Sequence, residues 1–307
     1  MRAEPGATDD VAQLRVDCRN ALGEMPLWCD VSASLYWVDV LSPGRVFHWR
    51  TLTDAVDFWQ FDDLITGVNL IAGGGLLIHG SHDIWRFDPA SRRTARLYSL
   101  PSSSPPMRLN DGHCDAAGRL WVGSMYNNID ADGAALSIPA AIGQLIMIAP
   151  GGGKRFDEHF GCPNALCWSP DGDTLYVADS CDGWLYAYRF NLADASVSQR
   201  RRFCRLDGLG IPDGAAVDAE GYLWNARWGA GAVARISPAG ALDRVIHLPT
   251  IQPTACCFGD PDRRTLYVTS ARFGLSEERL RAEPMAGGIF SIRVDVPGIE
   301  LPPFANP

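Results

Sequence analysis

Glu24, Asn110, Asn164, Asp213 and Thr254 lie far apart along 307 residues, yet each stands five positions before the turn of a short β-hairpin. The turn residues are Cys29, Asp115, Ser169, Asp218 and Gly259, and Val68 holds the same place before Gly73. Taken singly, an Asn or Asp at a strand end shapes a loop by bonding nearby backbone. A shared offset changes the reading, because a repeated unit brings equivalent positions together in space. Two carboxylates and two carboxamides facing one small space suit a hard divalent cation, which takes several oxygen ligands. Without such an ion, Glu24 and Asp213 would repel one another.

The elements that must position them are visible in the same repeat. Asp115-Ala-Ala-Gly118 is a turn, and Arg119-Leu-Trp-Val122 is a strand. Ser169-Pro-Asp-Gly172, Asp218-Ala-Glu-Gly221 and Gly259-Asp-Pro-Asp262 are turns before strands built the same way; Asp30 opens the series, and Ala72-Gly-Gly-Gly75 is a degenerate copy. Pro, Asp, Gly and Ser supply the turns, while Leu, Tyr, Trp and Val supply the strands. The copies recur at about 40 to 55 residues, the period of a four-stranded blade. Six of them predict an all-β, six-bladed β-propeller with antiparallel blades and a central metal-binding channel. Strong amphipathic helical windows are absent. A pair of β-sandwiches would not explain a repeated hairpin with a repeated prelude. The chain reads as one domain over residues 1–307, with residues 1–15 a flexible or clasping segment.

Composition bounds the partners. Hydrophobic residues make up 47% and charged residues 21%, as in a globule with a sizeable core. A net charge of −9 argues against nucleic acid and anionic membranes, since both call for basic patches. No apolar run is long enough to span a bilayer, and the first ten residues read as a polar tail rather than a leader. Nine cysteines with no C-x-x-C pair read as reduced core residues of a cytoplasmic protein. The partner is then a small molecule, and the protein a monomer or weak homo-oligomer.

Leu22-Gly-Glu-Met-Pro26, Arg108-Leu-Asn-Asp-Gly112, Pro163-Asn164 with Trp168-Ser-Pro-Asp-Gly172, and Pro212-Asp-Gly214 together resemble the motifs of the regucalcin/gluconolactonase family. The resemblance runs from about Leu22 to Val294. It implies a six-bladed propeller holding one divalent cation (Ca, Zn, Mn or Mg) and acting as a sugar lactone lactonase. It carries the metal ligands onto Glu24, Asn164 and Asp213, and substrate contacts onto Arg108 and Asn110. Where the family usually has an acidic substrate contact, this chain has Tyr126-Asn-Asn128, and Asn128 takes that place. Ala165 stands where the family commonly has Gly.

Ester chemistry then makes Asp213 the candidate general base, because a carboxylate beside the ion can accept a proton from water. No G-x-S-x-G elbow or H-E-x-x-H motif is present, which counts against serine-hydrolase and zincin mechanisms. Arg227 is a further candidate substrate contact: it lies four residues after Leu223, where the other blades offer no cation. His79-Gly-Ser-His82 reads as a surface loop, Gly151-Gly-Gly-Lys154 as a hairpin tip, and Cys256-Cys257 as buried packing. The alternatives to a lactonase are a non-catalytic calcium-binding propeller and a phosphotriesterase- or aryl-esterase-like hydrolase using the same ion.

Overall fold

A computed structural model describes residues 10–103, 105–149 and 152–305. Six four-stranded antiparallel sheets follow one another along the chain. Blade one runs from β2 (Gly23–Cys29) through β3 (Ser34–Asp39) and β4 (Gly44–Arg50) to β5 (Ala55–Phe61). Blade two comprises β6 (Ile65–Leu70), β7 (Leu76–Gly80), β8 (Asp83–Asp88) and β9 (Arg93–Ser99). Blade three holds β10 (Met107–Cys114), β11 (Leu120–Tyr126), β12 (Gly143–Ala149) and β13 (Gly152–Phe160). Blade four holds β14 (Pro163–Trp168), β15 (Thr174–Asp179), β16 (Trp184–Asn191) and β17 (Ser196–Cys204). Blade five holds β18 (Ile211–Val217), β19 (Leu223–Trp228), β20 (Ala232–Ile236) and β21 (Leu242–His247).

Blade six is assembled from both ends of the chain. β22 (Pro253–Gly259), β23 (Thr265–Ser270) and β24 (Ile289–Arg293) are joined at the rim by β1 (Gln13–Val16). Asp10 pairs with Arg244 of blade five, and Val11 bridges His247. Residues 10–16 therefore clasp the ring, while residues 1–9 of the expected N-terminal segment lie outside the described residues. The one described helix, α1 (Glu277–Ala282), is a single excursion between β23 and β24, capped by Ser276.

The core lies between the blades. Each of six buried apolar clusters draws its side chains from two neighbouring blades, and together they cover all six junctions. Cys256 and Cys257 show the period-two logic of a strand buried on both faces: one enters the junction with blade five, the other the junction with blade one. Trp28 stacks on Tyr267 at 6.0 Å, and Trp224 meets Phe258 edge-on at 5.9 Å, both across blade boundaries. All nine cysteines are free.

One device fixes the repeat register. The Asp115 carboxylate accepts the backbone N–H groups of Ala117 and Arg119 and the Trp121 indole N–H. Asp218 does the same for Glu220, Tyr222 and Trp224. Gly118 and Gly221 close these turns at φ of 74° and 82°, where a Cβ would be strained. A turn locked to the indole six residues onward sets where each inner strand begins, and hence where its mouth residue falls.

Candidate functional site

A β-bulge interrupts every innermost strand at the mouth end. In β2 and β14 the site residues Glu24 and Asn164 are the last regular pairs, and two residues then face one on the partner strand. In β10, β18 and β22 the bulge itself contains Asn110, Asp213 and Thr254. Met25 and Ala165 take φ of 46° and 55° in their bulges. Bulges bend a strand and re-aim a side chain, which here turns the mouth residues inward.

Four of the five side chains form two pairs there: Asn110 bonds Asn164, and Glu24 and Asp213 act on one another through their charges. Arg108 Nη1 donates to Asn110 Oδ1 at 2.7 Å, and Asn110 Nδ2 donates to Asn164 Oδ1 at 2.7 Å. Asn164 Nδ2 donates to Ser180 Oγ at 2.9 Å, and Ser180 Oγ to the Pro212 carbonyl at 2.7 Å, one residue before Asp213. The chain stitches blades three, four and five together at the mouth. It also orients both amides, with Asn164 Oδ1 on the side facing Asn110. Asn128 closes the group, its Oδ1 accepting from Arg108 Nη2 at 2.8 Å and Nε at 3.3 Å. Thr254 departs from the expected ring: it is fully buried and bonds the Gly23 carbonyl and Thr269 instead.

Charge accumulates at the centre. Burial, then the negative charges of Asp213 and Asp111, hold the Glu24 carboxyl well above its usual proton affinity. Burial and Asp111 do the same for Asp213. Among the described residues neither has an ion-pair partner at salt-bridge distance. Asp111 is the neighbour that sequence reasoning left out; it is 7% exposed, accepts the Leu166 N–H at 3.0 Å and lies 3.8 Å from His113. Its signal was the bulge, which presents two consecutive side chains rather than one.

The donors fit a hard cation. A half-buried and a buried carboxylate, neither with an ion-pair partner at salt-bridge distance, together with an oriented carboxamide oxygen, are the kind of set that a divalent ion neutralises. Among the described residues no three His, Cys, Asp or Glu side chains group as a metal cage; the Asn164 amide oxygen would be a third donor beside Glu24 and Asp213.

Arg227 is not a surface residue paired with an acid. It is 1% exposed and faces Pro212 across the strand pair. Its Nε and Nη2 donate to the carbonyls of Leu209 and Gly210 at 2.7 and 2.9 Å, and Nη1 to Asn225 Oδ1 at 2.9 Å. Asn225 Nδ2 in turn holds the Asp213 carbonyl at 2.6 Å. His79 also corrects the sequence reading. Rather than sitting in a surface loop, it is fully buried on β7, with neither ring nitrogen bonded to a described residue.

Residues 22–272 match the family model described as SMP-30/gluconolactonase/LRE-like region. The chain is 34% identical to 6-deoxy-6-sulfogluconolactonase of Pseudomonas putida over 94% of its own length and 96% of that protein's. It is 34% identical to L-arabinolactonase of Azospirillum brasilense, with 96% of each covered. A calcium-binding regucalcin from Agrobacterium tumefaciens superposes with a TM-score of 0.88 at 26% identity, covering 95% of this chain and 97% of that one. The chain belongs to the SMP-30/gluconolactonase/LRE-like family.

Proposed function

We propose that this propeller hydrolyses sugar-acid lactones, of aldonolactone or aldarolactone type, with one divalent cation held by Glu24, Asn164 and Asp213. The observation that carries the reading is the mutually repelling pair Glu24 and Asp213, without an ion-pair partner at salt-bridge distance among the described residues, beside a mouth lined by Arg108, Asn110 and Asn128. When bound, the ion supplies Lewis-acid polarisation of the lactone carbonyl.

The side chains account for the rest. Asp213 accepts the proton of the attacking water as its oxygen adds to the carbonyl carbon, the role open to a carboxylate placed beside the ion. The ring C–O bond breaks, and the same proton serves the departing ring oxygen, leaving a free acid and an alcohol. Arg108, Asn110 and Asn128 offer donors and acceptors for substrate hydroxyls. A mouth of this polarity favours a sugar over the apolar wall that an aryl ester would need. Nine free cysteines match the reducing cytoplasm, and no described helix is long and apolar enough to cross a membrane.

The test is acid release from a lactone panel with calcium, zinc, manganese or magnesium added. Turnover should vanish on chelation and in Asp213→Ala, while serine-directed reagents leave it intact. Stoichiometric ion binding with no turnover on any lactone would favour the calcium-binding alternative.

A further inference from the structure

We infer that the Nε/Nη2 edge of Arg108 is a subsite for a second anionic group on the substrate, a carboxylate or sulfonate distal to the lactone ring. The inference rests on the lactone reading for the substrate's frame, but its evidence lies in Arg108 itself. This guanidinium is 4% exposed, and among the described residues no carboxylate lies within salt-bridge distance of it. The other arginine buried to this degree, Arg227, is tied to carbonyls of its own loop and to Asn225. Arg119 and Arg235, which also reach into the core, have Asp115 and Asp218.

Arg108 divides its donors unequally. Nη1 is committed to the Leu109 carbonyl at 2.9 Å and to Asn110, which anchors the group to its own strand. The other edge, Nε with Nη2, meets a single neutral atom, Asn128 Oδ1, at 3.3 and 2.8 Å. That edge is the fork that grips a two-oxygen anion with parallel bonds. One amide oxygen bifurcated between both donors stands where the two oxygens of a carboxylate or sulfonate would each take one. Asn128 lies beyond the end of β11 and is only half-buried, so it can swing aside. Among the described residues no carboxylate reaches Arg108 at salt-bridge distance: Cys162 and Glu24 act on it only through space, and the Glu24 charge is shared with Asp213 and Asp111. A buried cation with a neutral placeholder on its recognition edge is matched by an incoming anion. An acid at position 128 would close the subsite with a permanent ion pair.

The experiment measures binding, so it stands apart from turnover. Calcium-loaded protein is titrated calorimetrically, at fixed free calcium, with D-gluconate, D-glucarate and 6-deoxy-6-sulfogluconate. All three carry the carboxylate that lactone opening creates, and only the last two carry a distal anion. The wild type should bind at least one distal anion roughly tenfold or more tighter than gluconate, as a charge-assisted pair implies, and the tighter of the two names the oxyanion. Asn128→Ala should keep that preference. Asn128→Asp should erase it, bringing the ratio of distal-anion to gluconate affinity to about one, whatever the variant does to gluconate binding itself. Equal binding of all three by the wild type overturns the inference, as does a preference that survives in Asn128→Asp. Lactone hydrolysis assayed on the same samples reports separately on the proposed function.

Discussion

Ser180 Oγ accepts a hydrogen bond from Asn164 Nδ2 at 2.9 Å while donating its own proton to the Pro212 carbonyl at 2.7 Å. One hydroxyl on blade four thus sets the orientation of a proposed ligand and tethers the strand that carries another. It selects which end of the Asn164 amide faces inward, and partners of this kind are typically worth about 10–100-fold in metal affinity. Ser180→Ala should weaken calcium binding by that factor in a calorimetric titration and change unfolding stability by only about 1 kcal/mol, the net worth of one such bond. Unchanged affinity would mean that Asn110 alone orients Asn164.

Glu24 should cost the metal-free protein stability. Its carboxyl is raised in the folded state by burial, Asp213 and Asp111. The folded chain therefore holds the proton more tightly than the unfolded chain. That contribution is complete below the ordinary value of 4.5 and is lost as pH rises through the folded value. Glu24→Gln does not titrate. In chelator, its unfolding free energy should exceed that of the wild type by an amount that grows with pH. Added calcium should reverse the order, because the variant loses a ligand. A metal-free wild type more stable than Glu24→Gln at pH 8 would contradict the charge argument.

Much of this arrangement is written in the sequence, and the misses have a common cause. Asp115 with Trp121, and Asp218 with Trp224, put the repeat in register, so counting back from the turn finds Glu24, Asn110, Asn164 and Asp213. At the bulge the period of two fails, since two residues occupy one pairing step. Which of them faces the channel then depends on the neighbouring blade. Thr254 has the correct offset but finds the Gly23 carbonyl beside it, and Asp111 is drawn inward next to Asn110. Ser180 and Arg227 lie on or beyond second strands, where nothing in their spacing says which loop they meet.

His79 should give the protein an acid-side weakness. Burial lowers its pKa from 6.5 to about 3, and its charge would face His113, itself lowered by burial although Asp111 opposes the change. A Cβ on Gly67 would stand 2.6 Å from Nδ1, so the ring fills its space without a bonding partner among the described residues. The native chain binds fewer protons here than the unfolded chain between pH 6.5 and 3. Stability is thus complete above 6.5 and falls below it, by up to ~1.4 kcal/mol per pH unit. His79→Leu should flatten that limb in denaturant titrations at pH 4–6.5 and cost little at pH 8, since it removes two unpaired polar atoms from the core. A slope as steep as that of the wild type would assign the weakness to His113 or another group.

The contacts of Arg227 make it a candidate positioning residue. Its guanidinium ties the loop after β17 to β19 through Leu209 and Gly210, and through Asn225 it steadies the bulge that holds Asp213. Burial lowers its pKa to about 10, with Asp213 among the opposing charges, so it stays protonated at neutral pH. Arg227→Ala removes the donor to buried Asn225 Oδ1 and to the Leu209 and Gly210 carbonyls, which belong to a half-buried and an exposed residue, and the protein should lose stability of about 1–3 kcal/mol. Because the residue acts through Asp213, kcat should fall by a similar factor for neutral and for charged lactones, with KM changing less. Arg227→Lys can keep one or two of the bonds but lacks the planar fork, and should recover part of the stability. Equal losses on gluconolactone and glucarolactone fit this role. A loss confined to glucarolactone would instead place Arg227 in contact with the substrate, and would require the loop after β17 to release it on binding.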